Sequence, residues 1–120
     1  REYLSPPNHA VFPWGETIYN PSGQEVSADI KFHEQVHFRQ MKDFASPELW
    51  WTSYLLDKKY RLECEVEAYS GQWLFLRRHL PEKICKEMLF EMSVALSKYY
   101  ELDITQPRAY TMIRLRDAIS

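Results

Sequence analysis

Cysteine is scarce in this 120-residue chain, with Cys64 and Cys85 the only two. Two thiols cannot build a disulfide scaffold, and neither belongs to a CxxC pair, so both are expected to be buried and free. There is no run of about 18 or more apolar residues, and the N-terminus lacks the basic-then-apolar pattern of a secretion signal. A soluble, cytoplasmic chain with no membrane partner is the expectation, although a start at Arg1 instead of Met leaves room for a segment removed upstream. Charge of one sign is also missing. The 15 basic and 17 acidic residues are mixed along the chain for a formal net charge of -2, which offers no broad cationic face to a phosphate backbone. Nucleic acid is therefore not an expected partner. Glycine is rare too: of the three, Gly15 and Gly23 fall in the first 27 residues beside Pro6, Pro7, Pro13 and Pro21, which excludes a long helix there.

What remains is rich in helix-forming, apolar sequence. With 45% apolar and 15% aromatic residues, the chain can furnish one core, so residues 1–120 read as one domain. In the extended segment 1–27, Gly15-Glu16-Thr17-Ile18-Tyr19 has strand composition and Asn20-Pro21-Ser22-Gly23 has turn chemistry. Helices follow over 28–100. The first runs from an N-cap at Ser27 or Asp29 to about Ala45. A second begins at Ser46-Pro47, with Pro at the first helical position, and weakens near Asp57. A third runs from about Lys58 to His79 with Leu62, Val66, Tyr69 and Trp73 on one stripe, interrupted only by Gly71. A fourth covers 82 to about 100 with Ile84, Met88, Met92 and Leu96 in register. Residues 104–120 form a C-terminal helix or tail. The fold class is mainly α with a small N-terminal β element.

Chemistry concentrates in the first helix, where His33-Glu34-Gln35-Val36-His37 reads HExxH. With His33 at zero and 100° per residue, His37 lies at about 40°, Gln40 at about 340° and Phe44 at about 20°, so both imidazoles share a face. Neutral imidazoles one turn apart can hold one zinc, and a catalytic zinc needs a third protein ligand and leaves a position for water. Glu34 is placed to take a proton from that water. Average composition would produce HExxH by accident in roughly one chain of this length in a few hundred, and seldom inside a capped helix with both histidines on one face.

The third ligand must come from elsewhere. Asp43 lies six residues, about 9 Å along the axis, beyond His37 and is too far. In Arg61-Leu62-Glu63-Cys64-Glu65-Val66-Glu67-Ala68-Tyr69, only one of three glutamates can serve. Relative to the Leu62/Val66/Tyr69/Trp73 stripe, Glu65 falls at about -60°, whereas Glu63 and Glu67 fall at about 100° and 140°, on a face expected to be solvated. Glu65 alone borders the core-facing side.

The order of HExxH and then a helix bearing Glu65-Val66-Glu67-Ala68 resembles the gluzincin metallopeptidases, with the ExxA pattern matched by Glu65 and Ala68 and the following acid or amide replaced by Tyr69. A short strand before the HExxH helix makes the chain similar to the minigluzincins over about residues 11 to 75. The resemblance implies a zinc metallopeptidase with His33, His37 and Glu65 as ligands and Glu34 as general base. It also implies a substrate-holding strand above the cleft, here Gly15, Thr17, Ile18 and Tyr19, taking a peptide as an added strand.

Other readings stay open at this point. The same metal chemistry could act on an amide in cell-wall peptide or another small molecule, or the motif could serve a non-catalytic zinc-binding domain. Tyr54, Tyr60, Tyr69, Tyr99 and Tyr100 are all candidate oxyanion donors. His79 suits a helix C-terminus, and His9 has no evident partner. A monomer acting on peptide or protein substrate is expected, with residues 104–120 either covering the cleft or packing on the bundle.

Overall fold

The computed structural model describes residues 12–20, 23 and 25–119, leaving aside the side chains of Tyr19 and of 117–119. Two short strands, β1 (Phe12–Trp14) and β2 (Thr17–Tyr19), pair antiparallel with Phe12 opposite Tyr19, Pro13 opposite Ile18 and Trp14 opposite Thr17. The two-residue connection places Gly15 at φ +64, the positive φ that such a tight hairpin requires at its first central residue. Among the described residues five helices follow: α1 (Ala28–Met41), α2 (Pro47–Leu56), α3 (Lys58–His79), α4 (Glu82–Tyr99) and α5 (Gln106–Ile119). The chain is thus mainly α with a small N-terminal β element, as expected. Among the described residues no helix is long and apolar enough to cross a membrane.

Local chemistry accounts for the helix ends. Ser46 is held extended ahead of Pro47, and its hydroxyl accepts from the Leu49 N–H. α1 ends before Ala45. It stops at Met41, where the N–H groups of Lys42, Asp43 and Phe44 turn back to carbonyls three residues before them. Asp57 caps α3 through the Tyr60 N–H at 3.1 Å.

α3 is the central helix and buries residues on most of its surface. One apolar cluster joins α3 to α4 and α5 through Val66, Tyr69, Trp73, Leu89, Leu96 and Ile113. A second joins the end of α1 to α2 and the start of α3 through Met41, Trp50, Trp51, Tyr54 and Cys64. Both cysteines are buried and free. The buried face of α4 is Cys85, Leu89, Met92, Ser93 and Leu96, so the expected stripe is rotated: Ile84 is exposed and Met88 is only half-buried. Buried Arg61 donates to the carbonyls of Tyr54, Leu55, Tyr100 and Glu101, tying the end of α2 and the loop after α4 to the central helix.

Candidate metal centre

α1 presents His33 and His37 toward α3, and both rings are buried, at 6% and 2% exposure. The two helices approach closely at Gly71, where an added Cβ would lie 3.1 Å from the side chains of Phe32 and Val36. Glu65, buried in the middle of α3, divides its carboxylate between the rings. Its Oε1 lies 3.2 Å from His33 Nε2, and its Oε2 lies 3.2 Å from His37 Nε2. Glu34 is buried beside them with Oε1 3.7 Å from His33 Nε2. Donor atoms of His33, Glu34 and His37 all lie within 4.8 Å of one another.

The outer nitrogen of each ring is held by a glutamine. His33 Nδ1 is 3.0 Å from Gln72 Oε1, while Gln72 Nε2 donates to Asp29 Oδ2 at 2.7 Å. His37 Nδ1 is 2.8 Å from Gln40 Oε1, while Gln40 Nε2 donates to Glu67 Oε1 at 2.8 Å and to the Cys64 carbonyl at 3.1 Å. An ionised carboxylate only accepts, so each amide must turn its NH2 to the acid and its oxygen to the ring. This orientation selects the tautomer with hydrogen on Nδ1 and directs both Nε2 lone pairs at Glu65. Acceptor facing acceptor at 3.2 Å is unfavourable unless a cation, a proton or a metal ion, comes between. Two buried imidazoles and a carboxylate fit zinc in kind and in number.

The electrostatics follow the same geometry. Burial alone would lower the His37 pKa, but the charge and hydrogen bond of Glu65, then the charge of Glu34 and the contact with Gln40, raise it to about 9. Burial opposes ionisation of Glu65, yet the two histidines hold its carboxyl far below the usual range. Tyr54 donates to Glu65 Oε2. The Tyr69 and Tyr100 hydroxyls share a hydrogen bond at 2.8 Å, and burial followed by the Glu65 charge keeps both phenols protonated well above their ordinary pKa. Burial, with the nearby Glu65 and Glu67 charges, pushes the Cys64 thiol up to about 12, which rules it out as a thiolate nucleophile at neutral pH.

A cavity of about 570 Å³ opens over these groups. Phe12 and Pro13 line it from β1, Trp50, Trp51 and Tyr54 from α2, and Met88, Met92, Ala95 and Tyr99 from α4, with Tyr69 and Tyr100 also on its wall.

The structure separates the three glutamates of α3. Glu65 meets both histidines; Glu63 is exposed; Glu67 is half-exposed but engaged by Gln40 and by Arg116, so its face is not merely solvated. Asp43 is exposed in the turn after α1. His79 is exposed at the α3 C-terminus and packs on Phe75, with ring centroids 4.5 Å apart. His9 lies outside the described residues.

The expected substrate strand lies away from the cavity wall. Gly15 sits in the hairpin turn, Thr17 and Ile18 are in β2, and none of the three lines the cavity; Tyr19 pairs with Phe12, and its side chain lies outside the described residues. The strand against α1 and the cavity is β1. Counting from the tight turn, Pro13 and Ile18 form the pair whose backbone groups point away from each other. Pro13 has no N–H, and its carbonyl already accepts from Trp51 Nε1 at 3.0 Å. That edge offers an added strand little to pair with. The C-terminal segment packs as α5 on α3 and α4, and among the described residues none of α5 lines the cavity.

Gln40, Gln72 and Asp29 support the imidazoles, a role that the HExxH motif alone does not mark. A signal was present: Gln40 follows His37 by one turn, Gln72 follows Glu65 by two, and Asp29 precedes His33 by one. Among known proteins, no protein-family model, no curated protein and no solved structure matches the chain.

Proposed function

We propose that this protein is a zinc-dependent metallopeptidase of gluzincin-like design, in which His33, His37 and Glu65 would hold the ion and Glu34 serves as general base. One observation carries the reading. Two buried imidazoles, each set in the Nδ1–H tautomer by a glutamine, aim their Nε2 atoms at one buried carboxylate beside a second one. Bound there, zinc supplies a Lewis acid for the scissile carbonyl and lowers the pKa of water toward about 7. Glu34 accepts the proton lost by water as its oxygen bonds to the carbonyl carbon, then delivers that proton to the nitrogen as the C–N bond breaks. The protonated Tyr69–Tyr100 pair on the cavity wall supplies hydrogen-bond donation to the oxygen that gains charge. Tyr54 keeps Glu65 in place, and the Trp, Met and Phe walls limit water and receive apolar groups of the substrate.

A second reading keeps this chemistry but narrows the substrate to a small amide or a cell-wall peptide. It is favoured by the blocked β1 edge and by a cavity of small-molecule size. Incubating zinc-loaded protein with a quenched peptide library, denatured protein and cell-wall fragments separates the two. Cleavage of the library by wild type and not by Glu34→Gln is expected; cleavage of cell-wall fragments alone selects the second reading. Zinc-loaded wild type that cleaves none of these leaves a non-catalytic zinc domain and overturns both.

A further inference from the structure

We infer that Arg116 and Glu67 are positioning residues of the metal centre, acting on His37 through Gln40, so that α5 supports the site from behind. This rests on the metal-binding reading above and adds a remote handle to it. The contacts form an unbroken line: Arg116 Nη2 lies 2.7 Å from Glu67 Oε2, Glu67 Oε1 accepts from Gln40 Nε2 at 2.8 Å, and Gln40 Oε1 faces His37 Nδ1 at 2.8 Å. Burial rises along it, from half-exposed side chains on Arg116 and Glu67 to Gln40 at 8% and His37 at 2%.

The chemistry is that of an amide with two unlike ends. Gln40 gives its oxygen to the ring because its NH2 is wanted elsewhere, by Glu67 and by the Cys64 carbonyl. Without Glu67 one of those two restraints is gone, and an amide turned by 180° would offer NH2 to Nδ1. Nδ1 would then have to accept, the ring hydrogen would move to Nε2, and the nitrogen aimed at Glu65 would lose its lone pair for metal. Arg116 keeps Glu67 turned toward Gln40. His33 has a separate brace, Gln72 and Asp29, with neither residue on α5, and so serves as an internal control.

Zinc affinity by competition with a chromophoric chelator, measured on the intact chain, tests this, with the cobalt absorption bands as a geometric readout. Glu67→Leu is expected to weaken zinc by about tenfold and Gln40→Leu by about 10- to 100-fold, in the range of outer-shell partners of metal ligands. Glu67→Gln, which retains an oxygen for Gln40, should lose less, and Arg116→Lys should restore most of what Arg116→Ala loses. An ion pair this exposed adds little to stability, so the losses should appear at nearly unchanged melting temperature. In a Gln40→Leu background, Arg116→Ala should have no further effect, whereas in an Asp29→Asn background its effect should persist. Wild-type affinity and cobalt bands in Glu67→Leu and Arg116→Ala would overturn the inference while leaving the metal centre standing. Failure of wild type to bind either ion would instead overturn the metal-centre reading, and this inference with it.

Discussion

The two sides of α3 are built on different principles. Toward α4 and α5 it buries a largely apolar cluster in which Leu89, Leu96 and Ile113 are nearly or fully inaccessible, with Ser70 and Ser93 buried as well. Toward α1 and α2 it buries His33, Glu34, His37, Gln40, Glu65 and Gln72, polar groups whose orientation is set by hydrogen bonds. The first side depends on volume and pattern and tolerates exchange of one apolar shape for another. The second depends on which atom faces which, because a buried polar group without a partner is costly and a misdirected one cannot bind metal. One face of α3 thus rests mainly on packing and the other on the orientation of polar groups, with Tyr69 and Met92 shared between the apolar cluster and the cavity wall.

Substitutions at the centre should act on function with little effect on fold. Glu34→Gln is expected to lower turnover by about 10²- to 10⁴-fold, as for loss of a positioned general base, while steady-state kinetics and elemental analysis find zinc content unchanged. Near-normal turnover in that variant would remove Glu34 from its role. Glu65→Ala should weaken zinc by more than the roughly 100-fold upper range of outer-shell substitutions, and Glu63→Ala by nothing measurable in the same titration. Equal affinities in the two would erase the distinction between the faces of α3.

On the opposite side the order of effects should invert. Leu96→Ala should cost about 3 kcal/mol in denaturant unfolding through a buried cavity, and Leu96→Met less than about 1.5 kcal/mol, with zinc affinity of the folded protein near wild type in both. A Leu96→Met protein that folds normally but loses zinc would mean that the two sides are not separable.

The smallest effect is a pH dependence. With zinc removed by chelation, His37 holds its proton to about pH 9, above the ordinary 6.5, so its contribution to stability is complete below about 6.5 and is lost as pH rises through 9. Glu65, lowered from an ordinary 4.5, contributes above that value and loses its contribution as pH falls. The chelated protein should be most stable between about pH 4.5 and 6.5 and should weaken toward pH 9, read as the urea midpoint at each pH. His37→Gln should flatten the alkaline limb; an unchanged limb would place the titration elsewhere.

The bundle was legible because its punctuation is strong. Ser46-Pro47, Asp57 and Leu80-Pro81 mark helix boundaries through chemistry confined to a few residues, and the Val66/Tyr69/Trp73 stripe can bury only one way. The end of α1 falls earlier than the expected Ala45, since nothing in the sequence before Phe44 marks the turn that follows Met41. The α4 face differs from the expected stripe at one end, with Cys85 buried in place of Ile84, because Met88 belongs to the wall of the cavity and Ile84 to the surface, a distinction periodicity does not carry. At the centre, helical phase turns His33 and His37 one way and Glu65 toward them. It places Gln40 on the face of the rings and Gln72 on that of Glu65 without showing that they brace the rings, and it does not show that β1 and not β2 borders the cavity. Both depend on how two helices and a hairpin meet, which local pattern does not encode.

The most direct test of the central claim is a zinc-edge anomalous difference map from crystals grown with one equivalent of zinc. A single peak is expected between His33 Nε2, His37 Nε2 and the Glu65 carboxylate, retained in Glu34→Gln and absent in Glu65→Ala. A map without a peak there, or with its strongest peak on other side chains, would contradict that claim.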